Sequence, residues 1–118
     1  KEVEGMLQAS IQVAEYRLVR GLYQDRPVAD LQALAKACRE QEAVIAVLAA
    51  RSDEKLTLIV SCSDEVSVPA VELLKNILEP LGGRGGGGPQ MAQGGGKISA
   101  EGFEHLLDQV GDTIAALK

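Results

Sequence analysis

Residues 82–97 read GGRGGGGPQMAQGGGK, and the fold turns on whether this stretch is slack or built. A run so rich in glycine serves either as a flexible linker or as a backbone surface that touches a ligand. This one contains no serine, and Met91 and Ala92 interrupt it with side chains suited to packing. A well-patterned helix follows it directly. A linker does not normally separate two helices that share a core, so the stretch reads as a structured loop.

Working outward from it, Ser67 and Pro69 open a preceding helix with Leu73, Leu74, Ile77, Leu78 and Leu81 on its inner side. Pro80 and Gly82–Gly83 end that helix. Ser99 caps a final helix on which Phe103, Leu106, Leu107, Val110, Ile114 and Leu117 form one stripe. Upstream, AVIAVLAA at 43–50 and LTLIVSCS at 56–63 flank the polar RSDEK and predict a hairpin. Val28, Leu31, Leu34, Ala35 and Cys38 predict an amphipathic helix started by Asp25 and Pro27. IQVAEYRLVRGLY, from Ile11, reads as one long first strand with Ala14 or Gly21 as bulge points.

The order predicts an α/β (α+β) fold: a single domain, a mixed β-sheet packed with helices, and a glycine-rich loop before the C-terminal helix. Residues 1–10, with Val3, Met6 and Leu7 at helical spacing, read as the tail of an upstream helical segment, and 11–118 as the globular domain. The chain starts without an initiator methionine, which suggests a piece of a longer protein.

With 118 residues and 46% hydrophobic side chains, the chain suits one domain with an adequate core. No apolar run is long enough for a membrane helix and no leader pattern opens the chain, so a soluble, cytoplasmic protein is expected. Cys38 and Cys62 read as core residues of a reduced protein. His105 reads as a surface residue, and Asp64 and Glu65 as charges before a helix start. No metal or cofactor is expected.

A net charge of −5 disfavours nucleic-acid binding by bulk electrostatics, so any such contact must be local. The glycine stretch fails two phosphate-loop tests. Gly83, Gly85 and Gly88 match G-x-G-x-x-G, but they follow a helix instead of a strand. GGGK resembles a Walker loop, yet Ile98 stands where Ser or Thr must bind magnesium. What remains is a run of backbone donors with Arg84 and Lys97 and no acid, a combination suited to a sugar–phosphate backbone. Arg17, Arg20 and Arg26 could extend this strip or serve only as edge-strand charges. Tyr16, Tyr23 and Phe103 are too few for base stacking to dominate.

GGRGGGGPQMAQGGG resembles the glycine-rich signature of the DHH-associated domain at the C-terminus of alanyl-tRNA synthetases, G-G-[KR]-G-G-G-R-P-D-M-A-Q-x-G-G. The resemblance runs from Ile11 to the C-terminus. It implies a non-catalytic tRNA-binding module supporting alanylation and editing of alanine tRNA, part of an alanine–tRNA ligase. Its partners would be tRNA and the catalytic and editing domains of the longer chain, with a homodimer left open. The candidate nucleic-acid-binding residues are Gly82, Gly83, Arg84, Gly85, Gly86, Gly87, Gln93, Gly95, Gly96 and Lys97. Gly88 and Gln90 depart from the signature, standing where the family has arginine and aspartate. Two alternatives stand beside this reading: the substrate-binding domain of a DHH phosphoesterase, or a dimerisation and interaction module. The phosphoesterase form of the stretch more often carries a histidine after its glycines, and none is present here.

Overall fold

The computed structural model describes residues 2–108 and 110–117. The expected hairpin lies at its centre, with β3 (Val44–Ser52) and β4 (Lys55–Cys62) antiparallel from Ile45↔Cys62 to Ser52↔Lys55. Val44 to Ala50 are all buried, because both faces of β3 are covered. β2 (Tyr16–Gln24) runs parallel to β3 and reaches it through α2 (Val28–Arg39), the crossover that a parallel pair requires. The long first strand is a hairpin instead: β1 (Ile11–Val13) folds back on β2, with Ala14 at φ 55° in the two-residue turn. Ala and Glu carry no turn signal, which hid the break.

The second departure is larger, since the glycine-rich loop is itself a hairpin. α3 (Ala70–Leu78) runs into a 3-10 turn at Glu79–Leu81, and Gly82 leaves it in the left-handed region at φ 67°. Then β5 (Arg84–Gly87) and β6 (Met91–Lys97) pair antiparallel, giving a six-stranded sheet of order β1-β2-β3-β4-β6-β5. β6 lies between β4 and β5. β4 is rich in strand-forming side chains and leaves a second edge to be paired, and the glycine backbone supplies that ladder.

Residues opposite one another on paired strands share a face. On one face Leu18, Ile45, Val47, Leu58, Val60 and Ala92 lie under α3 and α5 (Val110–Leu117). On the other, Leu48 and Ile59 meet Leu31 and Leu34 of α2, and Val19 and Ala46 meet α1 (Glu2–Gln8). The domain is a helix–sheet–helix sandwich. Fully buried side chains such as Leu31, Leu58 and Leu74 each contribute about 1.5–3 kcal/mol.

The final helix is broken in two. Ser99 does cap α4 (Ala100–Glu104), its Oγ accepting the Gly102 amide at 3.0 Å. Tight i→i+3 turns then follow, such as Leu106 N–H to Phe103 O and Asp108 N–H to His105 O, before α5 resumes. This still buries Phe103, Leu107, Val110 and Ile114 in the core. Ser67 does not cap α3; its hydroxyl bonds the Tyr16 hydroxyl at 2.8 Å.

Both cysteines are fully buried. Burial raises the Cys38 thiol, and it pushes Cys62 up to about 12 against the opposing pull of Arg39. The thiolate is the reactive form, so a disulfide reagent at neutral pH should leave both thiols untouched until denaturant unfolds the sheet. Rapid labelling of the native chain would mean that α2, which carries Cys38, or β4, which carries Cys62, opens far more often than its burial implies.

Candidate nucleic-acid interface

The hairpin alters what the glycine stretch can offer. Gly88 N–H bonds Met91 O at 2.9 Å across the β5–β6 turn, which fixes the alternation of that ladder. Gly86↔Gln93 and Arg84↔Gly95 are then the hydrogen-bonded pairs. The amides of Gly85 and Gly87 turn outward, along an edge strand whose four residues are all exposed. Most glycine donors are spent inside the sheet, contrary to the open loop expected. Two outward amides on the edge remain as the backbone surface for an anion.

Steric demand separates the glycines. A Cβ on Gly85 would lie 2.6 Å from Gly94 Cα and 2.8 Å from Leu74 Cδ2. On Gly94 it would meet Arg84 O at 2.6 Å, and on Gly95 it would meet Leu56 O at 2.5 Å. These residues let α3 and β4 close onto the hairpin. Gly83 is held likewise by Gly95 O and Leu78, Gly96 more loosely by Gly83 Cα at 3.1 Å, and Gly87 by Met91 O and its own φ of 149°. Gly86 and Gly88 are different: a Cβ on either would meet nothing within 4 Å. No packing demand keeps those two side chains absent.

Gly86, Arg84, Gln93, Gly95 and Lys97 lie on the α2 face of the sheet, whereas Gly85, Gly87 and Gly96 lie on the α3 face. The predicted residues thus divide between two faces of one hairpin, and Gly82 sits at its entrance. Arg84 and Lys97 are exposed and have no ion-pair partner among the described residues. Gln32 of α2 donates to Gln93 at 2.8 Å, tying the helix to β6.

Gln90 occupies the turn and stands between two charges. It accepts from Arg39 Nη2 at 2.6 Å and donates to Asp64 Oδ1, with Arg39 and Asp64 4.0 Å apart. Asp64 therefore braces this turn, and Glu65 accepts the Ala43 amide at 3.3 Å. Neither acts at a helix start, because α3 begins at Ala70. The roles of Gln32, Arg39 and Gln90 carry no sequence signal, since partners 26 to 61 positions apart meet only in the fold.

The arginines of β2 do not extend the strip. β3 and β4 separate β2 from β6, and Arg26 lies over the Tyr23 ring at 4.7 Å with Asp30 at 3.6 Å. Tyr16 and Phe103 are buried, so neither offers a stacking platform. His105 is exposed, and its hydrogen bond to Asp108 at 3.0 Å raises its pKa.

The geometry defines a class: a helix–sheet–helix domain closed at one sheet edge by a glycine hairpin that bears cations on its open face. The chain belongs to the DHHA1 domain family, whose model matches residues 11–116. Alanine–tRNA ligase of Leptospira interrogans is 31% identical over 99 residues, covering 80% of this chain and 10% of the relative. The chain thus spans about a tenth of the length of that relative. The C-Ala domain of Aquifex aeolicus alanyl-tRNA synthetase shares the fold at a TM-score of 0.80 and 24% identity, over 90% of this chain and 97% of that one. RecJ of Thermus thermophilus shares it at 0.66 and 20% identity, over 99% of this chain and 16% of that one. No helix among the described residues is long and apolar enough to cross a membrane.

Proposed function

We propose that this chain is the C-terminal tRNA-binding module of an alanine–tRNA ligase, working in the cytoplasm beside catalytic and editing domains, and that its glycine hairpin holds tRNA backbone. The observation that carries this reading is Gly86. It sits opposite Gln93 on the exposed edge, flanked by the outward amides of Gly85 and Gly87 and on the same face as Arg84. Nothing in the fold forbids a side chain there. A bare backbone beside a guanidinium lets a phosphate approach closely, whereas a side chain would hold it away. Contacts of this kind position a nucleic acid without reading its bases, and the buried aromatics agree with that.

The test is titration of alanine tRNA into the 118-residue chain over a range of salt. Arg84→Ala should weaken binding by about tenfold at low salt and lower the salt slope by about one. Gly86→Val should also weaken it while melting like the wild type. Unchanged affinity in both variants would remove the reading. A folded Gly86→Val protein that bound tRNA normally would return the hairpin to a purely structural part.

A further inference from the structure

We propose that Lys55 and Lys97 form a two-lysine clamp for one phosphodiester of the bound nucleic-acid strand, adding β4 to a site so far confined to the glycine hairpin. This rests on the reading above and deepens it. Lys55 and Lys97 are directly opposite on paired strands. Cys62 N–H to Gln90 O at one end of the ladder and Ile98 N–H to Glu54 O at the other fix its alternation. Lys55↔Lys97 is therefore a non-hydrogen-bonded pair, the kind in which side chains stand closest, with Cα atoms about 4.5 Å apart. Like charges so placed repel and destabilise a sheet.

Neither lysine is relieved inside the domain. Both are exposed, and among the described residues neither has an ion-pair partner. Asp53 and Glu54 of the β3–β4 turn line the same hollow, yet neither comes within ion-pair distance of Lys55 or Lys97. An anion between the two ammonium groups would remove the repulsion, and the fold keeps space for one. Ser52 and Gly96 line the hollow beside the two lysines, and Thr57, next to Lys55 but one on β4, adds a hydroxyl to their face. Arg84 is the diagonal neighbour of Lys97 across the β5–β6 pair, roughly 7–8 Å away. Lys55, Lys97 and Arg84 thus share one face of the sheet, and a strand leaving the Gly86 edge would cross it. Three cations outnumber the two carboxylates of the β3–β4 turn and suit a phosphate, with no feature that reads a base.

Alanine tRNA is titrated into Lys55→Gln, Lys97→Gln, the double variant, Arg84→Ala and wild type across salt, with melting curves for each. Each lysine variant is expected to bind about three- to tenfold more weakly, and the double variant to lower the salt slope by about one in total, since a single phosphate is shared. The double variant should lose less than the product of the two, because both lysines grip one phosphate. Lys55→Gln should melt at or above the wild-type midpoint, since the repulsion is gone. If Lys55→Gln binds as wild type while Arg84→Ala is weak, the clamp is wrong and the hairpin site stands. If Arg84→Ala also binds as wild type, the underlying site is wrong. A fall in the Lys55→Gln melting midpoint would assign the lysine to stability and overturn the clamp.

Discussion

Gly94→Val is expected to destabilise the domain severely, while Gly86→Val, on the neighbouring strand of the same hairpin, leaves the melting midpoint unchanged. The two differ in what surrounds a new Cβ. At Gly94 it would lie 2.6 Å from Arg84 O, 2.7 Å from Gly85 Cα and 2.8 Å from Leu78 Cδ1. The first two are backbone atoms of the paired strand, so no change of rotamer relieves them. Relief means moving β5 away from β6 or α3 away from both, which uncovers Leu74 and Leu78. Overpacking of this kind costs about 3 kcal/mol or more where the backbone cannot yield. For a domain of this size that lowers the midpoint by at least about 12 °C. Thermal denaturation by circular dichroism decides it. A Gly94→Val midpoint within a few degrees of wild type would mean that α3 does not press on the hairpin.

This contrast also explains why the glycine stretch reads so poorly as secondary structure. Strand formation is recognised through β-branched and aromatic residues in alternation, and MAQGGGK has neither. Its strand character comes from β4, whose Leu56, Leu58 and Val60 pair with Gly96, Gly94 and Ala92. A strand made by its neighbours leaves no trace in its own residues. The apolar runs of β3 and β4 and the 3.6-residue faces of α2 and α3 carry their own patterns, so those elements follow from sequence. The turn at Ala14 does not, because the break lies in two residues of unremarkable type.

The candidate site divides along the same line. The signature identifies the hairpin by residue type, but it treats all its glycines alike. Only the packing distinguishes Gly94, which must be bare for α3 to close, from Gly86 and Gly88, which need not be. Lys55 could not be found from sequence, since its relation to Lys97 exists only through the β4–β6 register, 42 residues apart.

Gly88→Arg is expected to strengthen tRNA binding by about tenfold at low salt and to raise the salt slope by about one. The signature has arginine at this position, and the structure has room for it. A Cβ on Gly88 meets nothing within 4 Å, its φ lies outside the left-handed region, and its amide bond to Met91 O survives the change. The new guanidinium would project from the β5–β6 turn, two residues along from Gly86, and extend the cationic edge begun by Arg84. Arginine offers a planar fork that matches phosphate oxygens, so Gly88→Lys should give a smaller gain through charge alone. One competitor stands nearby, the largely exposed carboxylate of Asp64, already bonded by Gln90. If the arginine turned to that acid, the domain would melt higher without binding tRNA more tightly, and Gly88→Arg with Asp64→Ala would then recover the gain. Unchanged affinity and slope in both the single and the double variant would show that no phosphate passes this turn, and would leave the turn outside the contact surface.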